Sequence, residues 1–229
     1  MSTAEERPVT LPRMTYEEFL EWADEDTLAE WVDGEVVMTS PASDRHQDVV
    51  YFLVPLLNRF VRFHGLGKVQ GAPFQMKLAQ NGREPDVLFL AAAHADRLRP
   101  TYLDGPADLV VEVISPESER RDRVQKFFEY QAAGVAEYWL VDPLARVAEF
   151  YQLEPRDEPR FYRRIAEDEY GVYHCAAIPG FWLRTELLWA EPLPDIEDAL
   201  LEVIGQAYLD QLTERARRHG LSPKGTAAE

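Results

Sequence analysis

A chain of 229 residues that is 46% hydrophobic and 28% charged can bury one sizeable core, and nothing in its composition points to disorder beyond its ends. Forty-one acidic against twenty-four basic residues give a formal net charge of −17, which opposes binding to nucleic acid or anionic membranes unless basic side chains gather on one face. The one cysteine, Cys175, excludes an intramolecular disulfide and fits a reducing compartment. With no apolar leader, and with "VVYFLVPLL" far too short to cross a bilayer, the sequence points to the cytoplasm.

The polar ends, residues 1–10 and 220–229, carry nothing to anchor them and are expected to be flexible. Thr15 followed three residues later by Glu18 has capping-box spacing, so "TYEEFLEWADE" predicts a short helix. "AEWVDGEVVM" predicts a hairpin turning on Asp33-Gly34. From Ser43 to about His64, Val49, Phe52, Leu53, Leu56, Leu57 and Phe60 recur at helical spacing, with Pro55 expected to kink or break the helix. Strands follow over about Lys68 to Leu78, "PDVLFLA" and "ADLVVEVIS". A helix from about Ser118 to Ala133 ends at Gly134, and "EYWLVDP" is a further strand. "RVAEFYQL" and "RFYRRIAED" predict a peripheral antiparallel pair, and Ile196 to Tyr208 one amphipathic C-terminal helix.

The order helix, strand, strand, strand, helix, strand predicts an α/β (α+β) fold, a mixed central sheet with helices on its faces. No repeat, low-complexity tract or linker divides the chain. The whole of 1–229 therefore reads as one domain: a core over about 43–143, an N-terminal extension over 14–42 and a C-terminal extension over 144–218.

In "DLVVEVIS" one carboxylate, Glu112, interrupts a strand that is otherwise apolar and shares its face with Val110 and Ile114. Burying it unpaired would cost several kcal/mol, so a strand-end position or a cation partner is implied. Asp86 in "REPDVLFLA" reads by itself as a turn residue before a strand. Facing Glu112 from a neighbouring strand, it would complete an all-oxygen pair suited to Mg²⁺ or Mn²⁺. Such an ion activates water and stabilises a leaving oxygen in phosphodiester hydrolysis, and a nearby lysine neutralises developing charge. Ile114 occupies the position two beyond Glu112, so Lys126 on the following helix is the nearest candidate. Asp122, Lys126 and Tyr130 share one helical stripe, opposite Val124, Phe127, Phe128 and Gln131. Periodicity leaves a solvated Asp122–Lys126 ion pair at least as good a reading as catalysis. No Gly-rich phosphate loop, CxxC, HExxH or GxSxG is present, and neighbouring His174 and Cys175 point apart on a strand.

"PDVLFL", "PADLVVEVISPES" and "RDRVQKFFEYQAAGVAEYWLVDP", with "TYEEFLEWADEDTLAEWVDGEVVMTSPASDRHQ" upstream, resemble the Uma-two family of restriction-endonuclease-like proteins, a branch of the PD-(D/E)XK nuclease superfamily. The resemblance covers roughly residues 14 to 153. It implies an αβββαβ core and a metal-dependent endodeoxyribonuclease using Mg²⁺ or Mn²⁺. On the matching positions it implies Asp86 and Glu112 as metal ligands and Lys126, displaced from strand to helix, as the electrostatic group. Asp122 matches an acidic position one turn earlier. Glu30 matches the acid of the N-terminal hairpin, a third carboxylate near the metal, though Glu30 reads equally as an exposed residue beside Trp31. His46 matches the histidine after the serine-proline segment, a base or phosphate contact, against a plain helix N-terminal polar residue.

Arg120, Arg121 and Arg123 would lie beside this site and could touch DNA phosphates, although Glu117, Glu119 and Asp122 are interleaved with them. Arg160, Arg163 and Arg164 form a second basic group. DNA is thus the expected partner, and a homodimer the expected assembly, since superfamily nucleases often pair to cut two strands. The alternative is a non-catalytic interaction or regulatory protein that keeps the fold.

Overall fold

Alternating strand residues of this chain must satisfy two covers at once, and the computed structural model, which describes residues 13–23, 27, 29–38, 43–154 and 159–221, shows how. The expected flexible ends lie almost wholly outside the described residues. In chain order come helix α1 (Tyr16–Trp22), strands β1 (Ala29–Val32) and β2 (Glu35–Met38), and helix α2 (Asp44–His64). Strands β3 (Gly67–Gly71), β4 (Gln75–Lys77), β5 (Asn81–Arg83), β6 (Val87–Ala91), β7 (Tyr102–Asp104) and β8 (Leu109–Val113) come next. A π-helical turn, Arg121–Lys126, runs into helix α3 (Phe127–Ala133). Strands β9 (Glu137–Asp142), β10 (Val147–Leu153), β11 (Tyr162–Ile165), β12 (Val172–His174) and β13 (Trp182–Arg184) precede helices α4 (Ile196–Ile204) and α5 (Gln206–Arg218).

The local signals work as elementary chemistry requires. Thr15 accepts from the Glu18 amide while the Glu18 carboxylate accepts from the Thr15 amide, closing the capping box of α1. Asp33 and Gly34 both take positive φ, +48° and +86°, which matches the twist of the β1–β2 hairpin. Ser43 caps α2 by accepting from the His46 amide, and Gly65 ends it in the left-handed region. The expected break at Pro55 does not occur, because α2 continues through it as one helix.

The main sheet has the order β11-β10-β9-β8-β6-β3, with only β8 and β9 parallel and α3 forming their crossover. Stripped of the insertions between β3 and β6 (β4 and β5) and between β6 and β8 (β7), this is the expected αβββαβ order. Val111 and Val113 of β8 face α2, packing with Val49, Leu53, Leu56 and Phe60. Val110 and Ile114 face the other way, among Leu88, Tyr130, Tyr138 and Leu140. Glu112 belongs to this second face by strand alternation.

Three expectations need correction. The single strand over Lys68 to Leu78 is two: the chain leaves β3 and enters β4 of a second sheet, ordered β2-β1-β5-β4-β7. The C-terminal pair is not peripheral to the core, because β10 hydrogen-bonds to β9 and extends the main sheet. The C-terminal helix is two helices, broken at Gly205, whose φ of +73° and ψ of −145° no helix accommodates.

Candidate active site

The second sheet matters because it brings β1 and β5 to the face of the main sheet where Glu112 lies. The register Val87↔Val111, continued by one residue, sets Asp86 opposite Glu112 on antiparallel neighbours, so both side chains address one face. Asp86 sits where β6 begins, after Pro85. There its Oδ2 accepts from the Val113 amide at 2.7 Å, completing a ladder position with a side chain. The same oxygen lies 3.3 Å from His46 Nε2, at the first turn of α2.

Glu112 is 3% exposed, and its charge is met from the helix, not the sheet. Lys126 Nζ lies 2.9 Å from Glu112 Oε1, 3.1 Å from Glu30 Oε1 and 3.5 Å from Asp122 Oδ1. Tyr130 donates its hydroxyl to the same Glu112 oxygen at 2.8 Å. The Asp122–Lys126–Tyr130 stripe therefore faces inward, while Val124 and Phe128 of the opposite stripe are exposed. A solvated Asp122–Lys126 surface pair is excluded. The π turn participates: the Asp122 carbonyl accepts from the Tyr138 hydroxyl at 3.1 Å.

Glu30 is buried on β1 between two cations. Arg83 of β5 donates to its Oε2 at 2.9 Å, the Glu84 amide donates to Oε1 at 3.3 Å, and Lys126 takes Oε1 as well. Arg83, itself buried, forks onto Glu129 with two bonds of 2.7 Å, tying α3 to the second sheet. Glu30 is thus no exposed neighbour of Trp31. Its oxygens are engaged in fixing Lys126.

The electrostatics arise from crowding. Burial pushes the Glu112 carboxyl up to about 8; Lys126 opposes this, and Asp122, Asp86 and Glu30 add to it. Burial and Asp86 also raise Asp122 against the pull of Lys126 and Arg121. Burial works against the Glu30 carboxylate, yet Lys126 and Arg83 hold it down to about 2. Burial likewise opposes the Lys126 ammonium, but Glu112, Glu30, Asp122 and Asp86 outweigh it and hold the group protonated. For His46, burial is overcome by the Asp86 hydrogen bond, so its pKa rises. Glu84, just before Pro85, is driven to about 7, chiefly by burial, with Gln75 Nε2 donating to it at 3.0 Å.

Two of the three arginines beside the site have partners. Arg123 is committed to Glu119, Asp142 and Glu149, and Arg121 Nε lies 4.0 Å from both Glu30 and Asp122. Arg120 is exposed. Sequence reasoning missed Arg83, Glu84 and Glu129, and it gave Tyr130 no role beyond its stripe. The one signal available was "REPD" itself, where a charged pair abuts a proline that opens a buried strand.

A family model described as "Putative restriction endonuclease" and called Uma2 matches residues 16–186. The chain belongs to this family. It is also similar in fold to the crystal structure of a "putative nuclease belonging to DUF820" from Anabaena variabilis, with a TM-score of 0.63 and 16% identity over 77% of this chain and 97% of that one. No curated protein matches the sequence. The mixed sheets of this Uma2 protein, flanked by helices, thus form a nuclease-like fold. Among the described residues, no helix is long and apolar enough to cross a membrane.

Proposed function

We propose that this Uma2 protein is a metal-dependent endodeoxyribonuclease whose site is built from Asp86, Glu112 and Lys126. The observation that carries the reading is the 2.9 Å contact of Lys126 with Glu112 on a strand register opposite Asp86.

The donor set fits a hard divalent cation. Glu112, Asp122, Asp86 and Glu30 crowd around one ammonium, and Asp122 Oδ1 is buried without a hydrogen bond. Contacts to Glu112 fall on Oε1 and those to Asp86 on Oδ2, which leaves the other oxygen of each for a cation. Among the described residues, no three His, Cys, Asp or Glu side chains are grouped to cage a metal by themselves. Two carboxylates are the habit of Mg²⁺, which keeps waters and substrate phosphate as its other ligands. Mg²⁺ or Mn²⁺, when bound by Asp86 and Glu112, would supply Lewis acidity and a more acidic water.

The protein's own residues do the rest. Lys126 keeps its proton, so it serves as a fixed positive charge beside the phosphate and not as a base. Glu30, Asp122 and Tyr130 hold Lys126 and Glu112 in place. His46, bonded through Nε2 to Asp86, would act as a base or phosphate contact. Arg120 and Arg121 are the phosphate contacts nearest the site, whereas Arg123 belongs to the fold. We further infer a cytoplasmic homodimer, from the single cysteine and the pairing common among superfamily nucleases; light scattering tests the assembly.

The decisive experiment is cleavage of single- and double-stranded DNA with Mg²⁺, Mn²⁺ or EDTA, comparing wild type with Glu112→Gln. Metal-dependent cleavage abolished by the substitution is expected, and cleavage unchanged by it refutes the assignment. A second reading, a non-catalytic regulatory protein, draws on the net charge of −17 and the burial of Glu112 and Lys126. No cleavage with either metal would favour it.

A further inference from the structure

Far from this site, α2 and α5 border a cleft of about 580 Å³ whose walls are arginines: Arg59 and Arg62 from α2, Arg215 and Arg218 from α5. Each pair is spaced i, i+3 and so presents neighbouring guanidiniums on one helix face. Arg59 is neutralised by Glu197, which also accepts from the Tyr208 hydroxyl at 2.6 Å. Arg62, Arg215 and Arg218 are exposed and have no ion pair among the described residues, unlike most arginines of this acidic chain. Phe63 also lines the cleft, its ring 6.1 Å from that of Tyr208. From His46 to Arg62, sixteen residues of helix at 1.5 Å each place the cleft about 24 Å along α2 from the candidate active site.

Three unpaired guanidiniums in one cleft of a chain with net charge −17 are a local reversal of sign. Guanidinium forks fit phosphate oxygens, and aromatic rings among basic side chains suit a nucleotide strand. We propose that this cleft is a second nucleic-acid contact, separate from the catalytic residues, in which Arg62, Arg215 and Arg218 hold strand phosphates. The choice of nucleic acid over other polyanions rests on the nuclease reading.

The test measures binding of labelled single-stranded and duplex DNA to the full chain in EDTA across a salt series, so that no cleavage is involved. The variant Arg62→Ala/Arg215→Ala/Arg218→Ala is compared with a control, Arg99→Ala/Arg163→Ala/Arg184→Ala, which changes net charge equally elsewhere. With one phosphate lost per arginine, the slope of log affinity against log salt should fall by about 2 to 3, and affinity at low salt by about tenfold or more. The control should bind like wild type. Equal loss in both variants, no loss in the first, or no binding by wild type at 50 mM salt (roughly the low end at which such contacts are read) overturns the proposal. Cleft-dependent binding without any Mn²⁺-dependent cleavage would defeat the nuclease reading and leave the cleft assignment standing.

Discussion

Replacing Lys126 by methionine keeps much of the side chain's volume and removes the one ammonium shared by Glu112, Glu30 and Asp122 at 2.9, 3.1 and 3.5 Å. Removing one member of a buried charge cluster costs about 3–5 kcal/mol, since the partners stay buried without compensation. For a domain of this size that corresponds to a fall in Tm of roughly 6–20 °C. The loss should depend on pH. Burial already raises the Glu112 carboxyl to about 8 from an ordinary value of 4.5, and losing Lys126 raises it further. In that window the folded protein holds a proton that the unfolded chain releases, so folding is favoured at low pH and weakened as pH climbs. The variant should therefore approach wild type near pH 5 and be most destabilised above pH 8 (roughly the folded-state value, where the buried acids ionise). Urea denaturation at both pH values, with DNA cleavage measured in parallel, reads this out. A destabilisation under about 1 kcal/mol, or one equal at both pH values, would mean that the cluster is not held by Lys126.

If Glu112 is a metal ligand, its proton must leave when the ion binds, and calorimetric Mn²⁺ affinity should rise from pH 6 to 8 by up to about tenfold per unit. A flat profile would remove Glu112 from the ligand set. Glu137 is a different kind of buried acid: Trp139 Nε1 and the Tyr173 hydroxyl donate to one oxygen at 2.7 Å, and the Ala176 and Ala177 amides to the other at 2.8 Å. Glu137→Ala should cost about 3 kcal/mol or more in chemical denaturation, with Glu137→Gln milder and kcat unchanged in both. A Cβ at Gly82 would lie 2.2 Å from Tyr16 Cε2, so Gly82→Ala should displace that ring and lower stability by about 1–3 kcal/mol, checked by thermal melting.

The αβββαβ core was legible because β6, β8 and β9 are apolar runs and α2 repeats its apolar residues at helical spacing. Glu112 was legible for the opposite reason, as one charge in such a run. The second sheet was not. Its β5 is "NGR", all three residues buried, and that tripeptide reads as a turn by every local rule. Arg83 is buried only because Glu30 and Glu129 come to meet it from positions 53 and 46 residues away, a pairing that no local pattern encodes. Lys126 lay between: its stripe was visible, but which stripe turned inward depends on the sheet beneath. Asp122 and Tyr130 point inward together with it because the carboxylates there require a cation and a donor, a demand that outweighs burying Phe128.

The π turn over Arg121–Lys126 carries one more residue than an α-helical turn needs. That residue is taken up locally, so Asp122 and Lys126 stay on one inward stripe with Tyr130 although the backbone between them is not α-helical. Asp122 meets the Lys126 ammonium at 3.5 Å, while Lys126 and Tyr130 reach the same oxygen of Glu112. The position of the cation is thus held by a widened turn of helix.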